Sequence, residues 1–396
     1  MTEVLNLGTL DPSLAQEVAP GWWQKLFSCI QCGSCSASCP TAFAMDYTPR
    51  HLWQMVRLGL TEEVLDSRTF WLCTVCKSCQ VRCPRGIQIT DTMLALKEYA
   101  HHQGADVPDA LDRLEGTVTG HYNISGDDNV TRLIWSQNLA NPPLGVDPPR
   151  QKAEVVYFVG CVSSFYPRAY SIPQALVQIL GRGGVEFTTM GSQEWCCGYP
   201  LYVAGMRDQM AAMAQHNVER VRALEAKRVI FTCPSCYYAW SHLYPEMVDV
   251  SNLELQHATE FLAELLTGDG LALGPVEEIV TYHDPCDLGR KSGVYDAPRE
   301  VLARIPGLEV REMALAREDA QCCGGGGDVE MADSEVTHEV AARRLADVQA
   351  TGASTVVSAC QQCKRTLQEG ARKSHIRVRA MDVVELLWRS VQAAKE

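Results

Sequence analysis

Residues 316–332 read AREDAQCCGGGGDVEMA. Cys322 and Cys323 are adjacent, and Gly324 to Gly327 follow at once. The pair has a twin 126 residues earlier, Cys196–Cys197 in CCGYPLY. Working outward, Cys161 returns as Cys286, and Cys233 and Cys236 return as Cys360 and Cys363, all displaced by 125 to 127 residues. The flanks agree: HATEFLAELL (257–266) echoes AMDVVELLWR (380–389). All ten cysteines of the rear half fit the scheme, so the rear half is a duplication.

The surroundings of these cysteines set the fold class. AEVVYFVGC ends at Cys161, EEIVTYHDPC at Cys286, RVIFTCPSC at Cys236 and STVVSACQQC at Cys363. Short β-branched runs bounded by Gly, Pro and charge read as buried strands. Between them lie helical patterns: YSIPQALVQIL (170–180), DQMAAMAQHNVERVRALEA (208–226) and SEVTHEVAARRLADVQA (334–350). Strand alternating with helix implies a parallel sheet covered on both faces. Ligands of such sheets bind beyond the carboxyl ends of the strands, where these cysteines stand. Each repeat is expected to be a small α/β domain gathering five thiols on one edge.

The front half carries eight more cysteines. CIQCGSCSASCP supplies Cys29, Cys32, Cys35 and Cys39; CTVCKSCQVRCP supplies Cys73, Cys76, Cys79 and Cys83. Each is C-x2-C-x2-C-x3-C-P, the run that binds cubane [4Fe–4S] clusters in bacterial ferredoxins, with the fourth cysteine serving the other cluster. One cluster is therefore assigned to Cys29, Cys32, Cys35 and Cys83, and the other to Cys73, Cys76, Cys79 and Cys39. Zinc also takes C-x2-C pairs, but a duplicated run of four closed by proline fits it badly. Between the runs, YTPRHLWQMVRLGLTEEVL places Pro49 in a first helical turn, with Leu52, Met55, Val56 and Leu60 near helical spacing.

Composition narrows the rest. The chain has 396 residues, 18 cysteines and a net charge of −13 without a basic block, which argues against nucleic acid. No window of 18 apolar residues and no export signal is legible, so the expectation is a cytoplasmic protein that reaches the inner face of a membrane only through a partner. A reducing compartment disfavours structural disulfides, leaving metal as the use for so many thiols. Residues 104–152, with HYNISGDDNVT and NPPLGVDPPRQ, have the composition of loops. The expected organisation is a helical ferredoxin-like dicluster domain (1–103), a linker (104–152) and two duplicated α/β domains (153–272 and 273–396). No G-x-G-x-x-G follows a strand, so a bound dinucleotide is not expected.

Five thiolates exceed the needs of one zinc or one cubane, and a strained disulfide between neighbours would leave three cysteines unexplained. Both vicinal thiols on one cluster, with one sulfur free to bridge two irons, accounts for all five. Gly198, Gly324 and Gly325 then let the backbone come close and offer N–H groups to an anionic cluster. A plain flexible loop is the alternative use of a glycine run. Asp328 is placed to cap a helix from Val329, whose positive end would favour the reduced state.

With these residues in view, both repeats resemble the cysteine-rich (CCG) domain of heterodisulfide reductases. The spacing is 34 and 35 residues in the first repeat and 35 and 36 in the second. The front domain, including YTPR and CPRGIQITD, resembles the dicluster subunit of the same enzymes, and iron–sulfur subunits of anaerobic glycerol-3-phosphate, lactate and glycolate oxidoreductases share the order. The resemblance implies two cubane clusters in front. It also implies two non-cubane [4Fe–4S] clusters, on Cys161, Cys196, Cys197, Cys233 and Cys236 and on Cys286, Cys322, Cys323, Cys360 and Cys363, between which a disulfide is reduced or dithiols are oxidised. A flavoprotein or membrane cytochrome would be the electron-transfer partner. The alternative is a relay between a flavoprotein dehydrogenase and quinone, without a disulfide substrate. One departure stands out: relatives often read DPCHLGR where this chain reads DPCDLGRKSG, placing Asp287 in the position of a histidine. His283 is a candidate proton donor, or a histidine hydrogen-bonded to backbone at a strand end. Arg290 and Lys291 either attract an anionic substrate or lie on a solvated surface.

Overall fold

The computed structural model describes residues 10–11, 13–268 and 270–394. In the front domain the two cysteine runs share one backbone conformation. Gln31 and Gly33 are left-handed in the first run, and Val75 and Lys77 are left-handed 44 residues later. Such residues reverse the chain's local twist, and here they fall between the first three thiols of each run. A short helix follows in each run, Ser34–Ser38 and Ser78–Val81, carrying the third cysteine. The helix Pro49–Leu58 separates the runs, with Pro49 in its first turn, left-handed Gly59 as its stop, and Leu52, Trp53 and Val56 buried.

The rear half holds two four-stranded parallel sheets of identical order. Strands β1 (Val155–Phe158), β2 (Phe187–Thr188), β3 (Arg228–Phe231) and β4 (Glu254–His257) run β2-β1-β3-β4. Strands β5 (Glu278–His283), β6 (Leu308–Val310), β7 (Thr355–Ser358) and β8 (Arg379–Asp382) run β6-β5-β7-β8. In each sheet the order reverses beside the first strand, which opens a crevice at its carboxyl end. The first strand of each repeat leads to Cys161 or Cys286 and the third to Cys233 or Cys360. The helical patterns read from sequence appear as Ser171–Arg182, Arg207–Ala223 and Ser334–Ala350.

The two repeats share one apolar core, in which Tyr157, Leu176 and Ile179 of the first pack with Tyr282, Val357 and Leu386 of the second. Gln361 is fully buried at this seam and donates to Thr232 Oγ1 at 2.6 Å. The relative placement of the two crevices is therefore set by packing.

Residues 104–152 hold more structure than their composition suggested. They contain the helix Asp109–His121, whose Leu111, Leu114 and Val118 are buried, and the buried anchors Trp135 and Val146. The loop-like stretches HYNISGDDNVT and NPPLGVDPPRQ set the composition of the whole segment and hid the short apolar stripe that precedes them. The end of this helix is fastened to the vicinal cysteines: Cys196 N–H donates to the Tyr122 carbonyl at 2.7 Å.

Candidate iron–sulfur centres

In the front domain Cys29, Cys32, Cys35 and Cys83 line one small cavity. Cys39 instead lies with Cys73, Cys76 and Cys79, close enough that charge on any of them bears on the others. The fourth cysteine of each run thus joins the other run's three. The two groups differ in exposure: Cys32 is open to solvent, whereas Cys76 is buried. Burial pushes the Cys39 thiol up to about 12, and Cys79 is likewise raised by burial. Four such thiols cannot all ionise unless a cation compensates them.

Each rear repeat draws its five sulfurs into one chain of contacts. In the first, Cys196 meets Cys161 and Cys197, and Cys236 meets Cys197 and Cys233. In the second, Cys322 meets Cys286 and Cys323, and Cys363 meets Cys323 and Cys360, with Cys323 Sγ and Cys363 Sγ 3.4 Å apart. The order of contacts is the same in both. The backbone supports the sulfurs in parallel fashion: Gly198 N–H points to Cys196 Sγ at 3.4 Å and Gly324 N–H to Cys322 Sγ at 3.3 Å. Gly324 is at φ +94°, and a Cβ there would stand 2.8 Å from the Thr337 carbonyl oxygen, so only glycine brings this N–H into place. A donor set of five converging thiols with N–H groups turned on their sulfurs is what an anionic iron–sulfur group requires.

Both pentads face the same cavity, of about 340 Å³, lying between the repeats; nine of the ten rear cysteines line it, the exception being Cys322. Cys322 turns the other way and meets Cys76 of the front domain, whose thiol is pulled down to about 5 by that hydrogen bond, with Arg290 assisting. A sulfur-to-sulfur contact therefore joins the buried front group to the second pentad.

His283 sits in the pocket of the second pentad, its ligand nitrogen within 4.8 Å of the sulfurs of Cys323 and Cys363. Arg344 Nε donates to His283 Nδ1 at 3.2 Å, and burial lowers the imidazole's affinity for a proton. The ring is thus held neutral at a strand end, but its partner is the Arg344 side chain and not the backbone that the structural reading of this residue supposed. Arg290 and Lys291 match neither of the roles expected for them. Arg290 ties the domains together, its Nε donating to the Cys76 carbonyl at 2.7 Å and its Nη1 to the Ala320 carbonyl at 2.6 Å. Lys291 is buried, 2.7 Å from Asp287 and 2.5 Å from Tyr199 Oη, while Asp287 Oδ2 accepts from Ser235 Oγ at 2.6 Å. Asp287 and Lys291 come from the second repeat, Tyr199 and Ser235 from the first. The aspartate at the histidine position thus anchors a polar bridge across the cavity wall.

Three residues went unread in the sequence. Arg132 is buried and donates to Glu194 Oε1 at 2.9 Å and to Cys161 Sγ at 3.5 Å. Glu194 also accepts from Val159 and Gly160 N–H at 2.9 Å each. Burial pushes this carboxyl up while Arg132 pulls it back. Lys97 is fully buried and donates to the Val203 carbonyl at 2.8 Å. Each is remote in sequence from what it touches, so no local pattern announced it. Asp328 was read as a side-chain cap; the helix does begin at Val329, but Asp328 is left-handed (φ +59°) and makes no capping bond.

Comparison with known proteins bears on the whole chain. The cysteine-rich domain model matches residues 155–240 and 280–368, and the 4Fe-4S dicluster domain model matches residues 25–87. A component of the dihydromethanophenazine:CoB–CoM heterodisulfide reductase of Methanosarcina mazei is 31% identical, over 92% of this chain and 93% of that protein.

The chain belongs to the heterodisulfide reductase iron–sulfur family.

It is accordingly an iron–sulfur electron-transfer protein of an oxidoreductase. Two further relatives mark the family's breadth. The probable iron-sulfur-binding oxidoreductase FadF of Bacillus subtilis is 28% identical over 91% of this chain and 50% of its own length. The EtfAB:quinone oxidoreductase of Syntrophomonas wolfei is 27% identical over 98% and 62%. Among solved structures, a hypothetical protein from Helicobacter pylori superposes with a TM-score of 0.58 at 10% identity, over 95% of this chain and 74% of that one, a likeness of fold. No helix among the described residues is long and apolar enough to cross a membrane.

Proposed function

We propose that this chain passes electrons through two front clusters to two rear clusters that reduce a disulfide held between them. The front clusters are cubanes, on Cys29, Cys32, Cys35 and Cys83 and on Cys39, Cys73, Cys76 and Cys79. The rear clusters are non-cubane, one on each pentad. The observation that carries the reading is the single cavity faced by both pentads. A relay needs sulfur ligands in series; it has no use for two of them opening on one space.

The residues suggest the direction of travel. Cys32 is exposed, so electrons enter there from a flavoprotein or cytochrome partner. The buried group on Cys73, Cys76 and Cys79 comes next, and the Cys76–Cys322 contact leads to the second pentad. Once bound, the rear clusters supply electrons one at a time and iron sites that accept sulfur. The chain's own part is to hold the ten sulfurs, to turn N–H groups on them from Gly198 and Gly324, and to fix the gap between pentads through Asp287, Lys291, Tyr199 and Ser235. Glu330 and Arg365, 2.8 Å apart, form a polar edge to the cavity suited to orienting a polar substrate.

Anaerobically purified protein should contain about sixteen irons and as many sulfides per chain, four for each cluster. Reduced methyl viologen should drive release of thiols from a disulfide. Full iron content with no thiol released from any disulfide tried would favour the second reading, a relay between a flavoprotein dehydrogenase and quinone. That reading draws support from the quinone oxidoreductase among the relatives, and a co-purifying flavoprotein that reduces the chain would establish it.

A further inference from the structure

The proposed reaction consumes protons as well as electrons. Cleaving R–S–S–R takes two electrons and two protons and yields two R–SH. The electrons come from a one-electron donor at the front cysteines. The protons need a group at the cavity, and the cysteines are committed to metal.

We propose that Asp328 is the acid that gives a proton to a thiolate sulfur released in the cavity, an inference that rests on the disulfide reading above. Asp328 lines the cavity. Its Oδ2 is shut off from bulk solvent and has no hydrogen-bond partner among the described residues. A buried polar oxygen without a partner is costly, and the residue that carries it lines the space the substrate would fill. The backbone adds weight: four glycines lead to this position, its φ is +59°, and glycine would sit there without strain. The chain carries a carboxyl group there all the same, and that group does not cap the helix behind it.

The neighbours allow the proton to be held at neutral pH. Lys97, from the helix Ile89–Gln103, is the charge that acts on Asp328, and its ammonium already donates to the carbonyls of Val203 and Gly327. On the side of helix Asp109–His121 the cavity is lined by Leu114. The other charges on the wall are occupied, Glu330 by Arg365 and Asp287 by Lys291. Burial pushes the Asp328 carboxyl up to about 7, Lys97 opposing. The group is thus protonated below about pH 7 and spent above it.

In the step, the S–S bond breaks as the two electrons arrive. The O–H bond of Asp328 breaks as an S–H bond forms on one sulfur, the second thiolate takes its proton from water, and Asp328 regains its own from water at the cavity mouth.

The test uses anaerobic holoprotein, reduced methyl viologen and hydroxyethyl disulfide as probe, across pH. Native protein should release thiols at a rate that falls above about pH 7. Asp328→Asn should lose about a hundredfold in kcat, the lower end of what a positioned acid contributes, and should lose that alkaline decline. Asp328→Gly, which suits the left-handed backbone, should show the same loss with full iron content. If native protein reduces the probe but Asp328→Asn keeps its rate and pH profile, Asp328 is not the acid, though the disulfide reading stands. If both variants lose iron, Asp328 is a structural residue and the proposal is overturned. If native protein releases no thiol, the disulfide reading falls and takes this inference with it.

Discussion

Replacing Arg132 by methionine tests whether the segment before the first sheet is a spacer or part of a cluster site. Arg132 and Glu194 are each 1% exposed and 2.9 Å apart. Breaking a buried pair by removing one partner costs about 3 to 5 kcal/mol, because the other charge is left uncompensated. Glu194 would keep its bonds from Val159 and Gly160 N–H, so the lower figure, about 3 kcal/mol, is expected. Glu194→Gln should cost a similar amount by stranding the guanidinium. The double variant should cost about 4 kcal/mol, less than the sum, because the two losses are one interaction counted twice. Lys152→Met, at a pair whose side chains are 66% and 63% exposed, is the control and should leave stability unchanged. The assay is urea unfolding of anaerobic holoprotein followed by circular dichroism. Because Arg132 also donates to Cys161 Sγ, the reduction potential of one rear cluster should move in the same variant, read by paramagnetic resonance. Single variants whose costs simply add, or an Arg132→Met cost below about 1 kcal/mol, the scale of exposed pairs, would refute the reasoning.

Three more outcomes follow from the geometry. Cys83→Ser should abolish the same cubane paramagnetic signal as Cys29→Ser, and Cys39→Ser the same one as Cys73→Ser; signals that instead pair Cys83 with Cys73 would mean that each run serves its own cluster. Gly327→Ala should unseat the glycine loop from the front domain, since its φ is +64° and a Cβ would lie 2.2 Å from the Cys73 carbonyl oxygen; a loss of more than about 1 kcal/mol on urea unfolding is expected. Burial pushes Asp382 up to about 8, so the folded state binds its proton more tightly than the unfolded one does, and stability falls as pH rises toward about 8. Asp382→Asn should flatten that decline between about pH 6 and pH 8, measured as the urea midpoint at each pH.

Much of the fold was legible because its signals are local. A β-branched run ending in glycine or proline beside a cysteine reads as a strand whatever surrounds it, and the repeat of ten cysteines announced two equivalent domains. The cross-run grouping of Cys39 and Cys83 followed from the proline-closed motif. The helix Asp109–His121 was missed because its apolar stripe is short, Leu111, Leu114 and Val118 with Gly116 and Gly120 among them, and only its packing partners reveal it. The choice between the two roles offered for His283 was not legible, since burial and Arg344 decide its charge.

The sequence by itself determined the kind of chemistry: eighteen cysteines in spacings set by bond lengths and loop geometry over a few residues. Tertiary structure alone decided that two pentads open on one cavity, that Cys322 meets Cys76, and that a carboxyl at residue 328 borders that space without a partner among the described residues. These facts join residues far apart along the chain. They are fixed by how the repeats share a core, and nothing in a short stretch of chain encodes that distance.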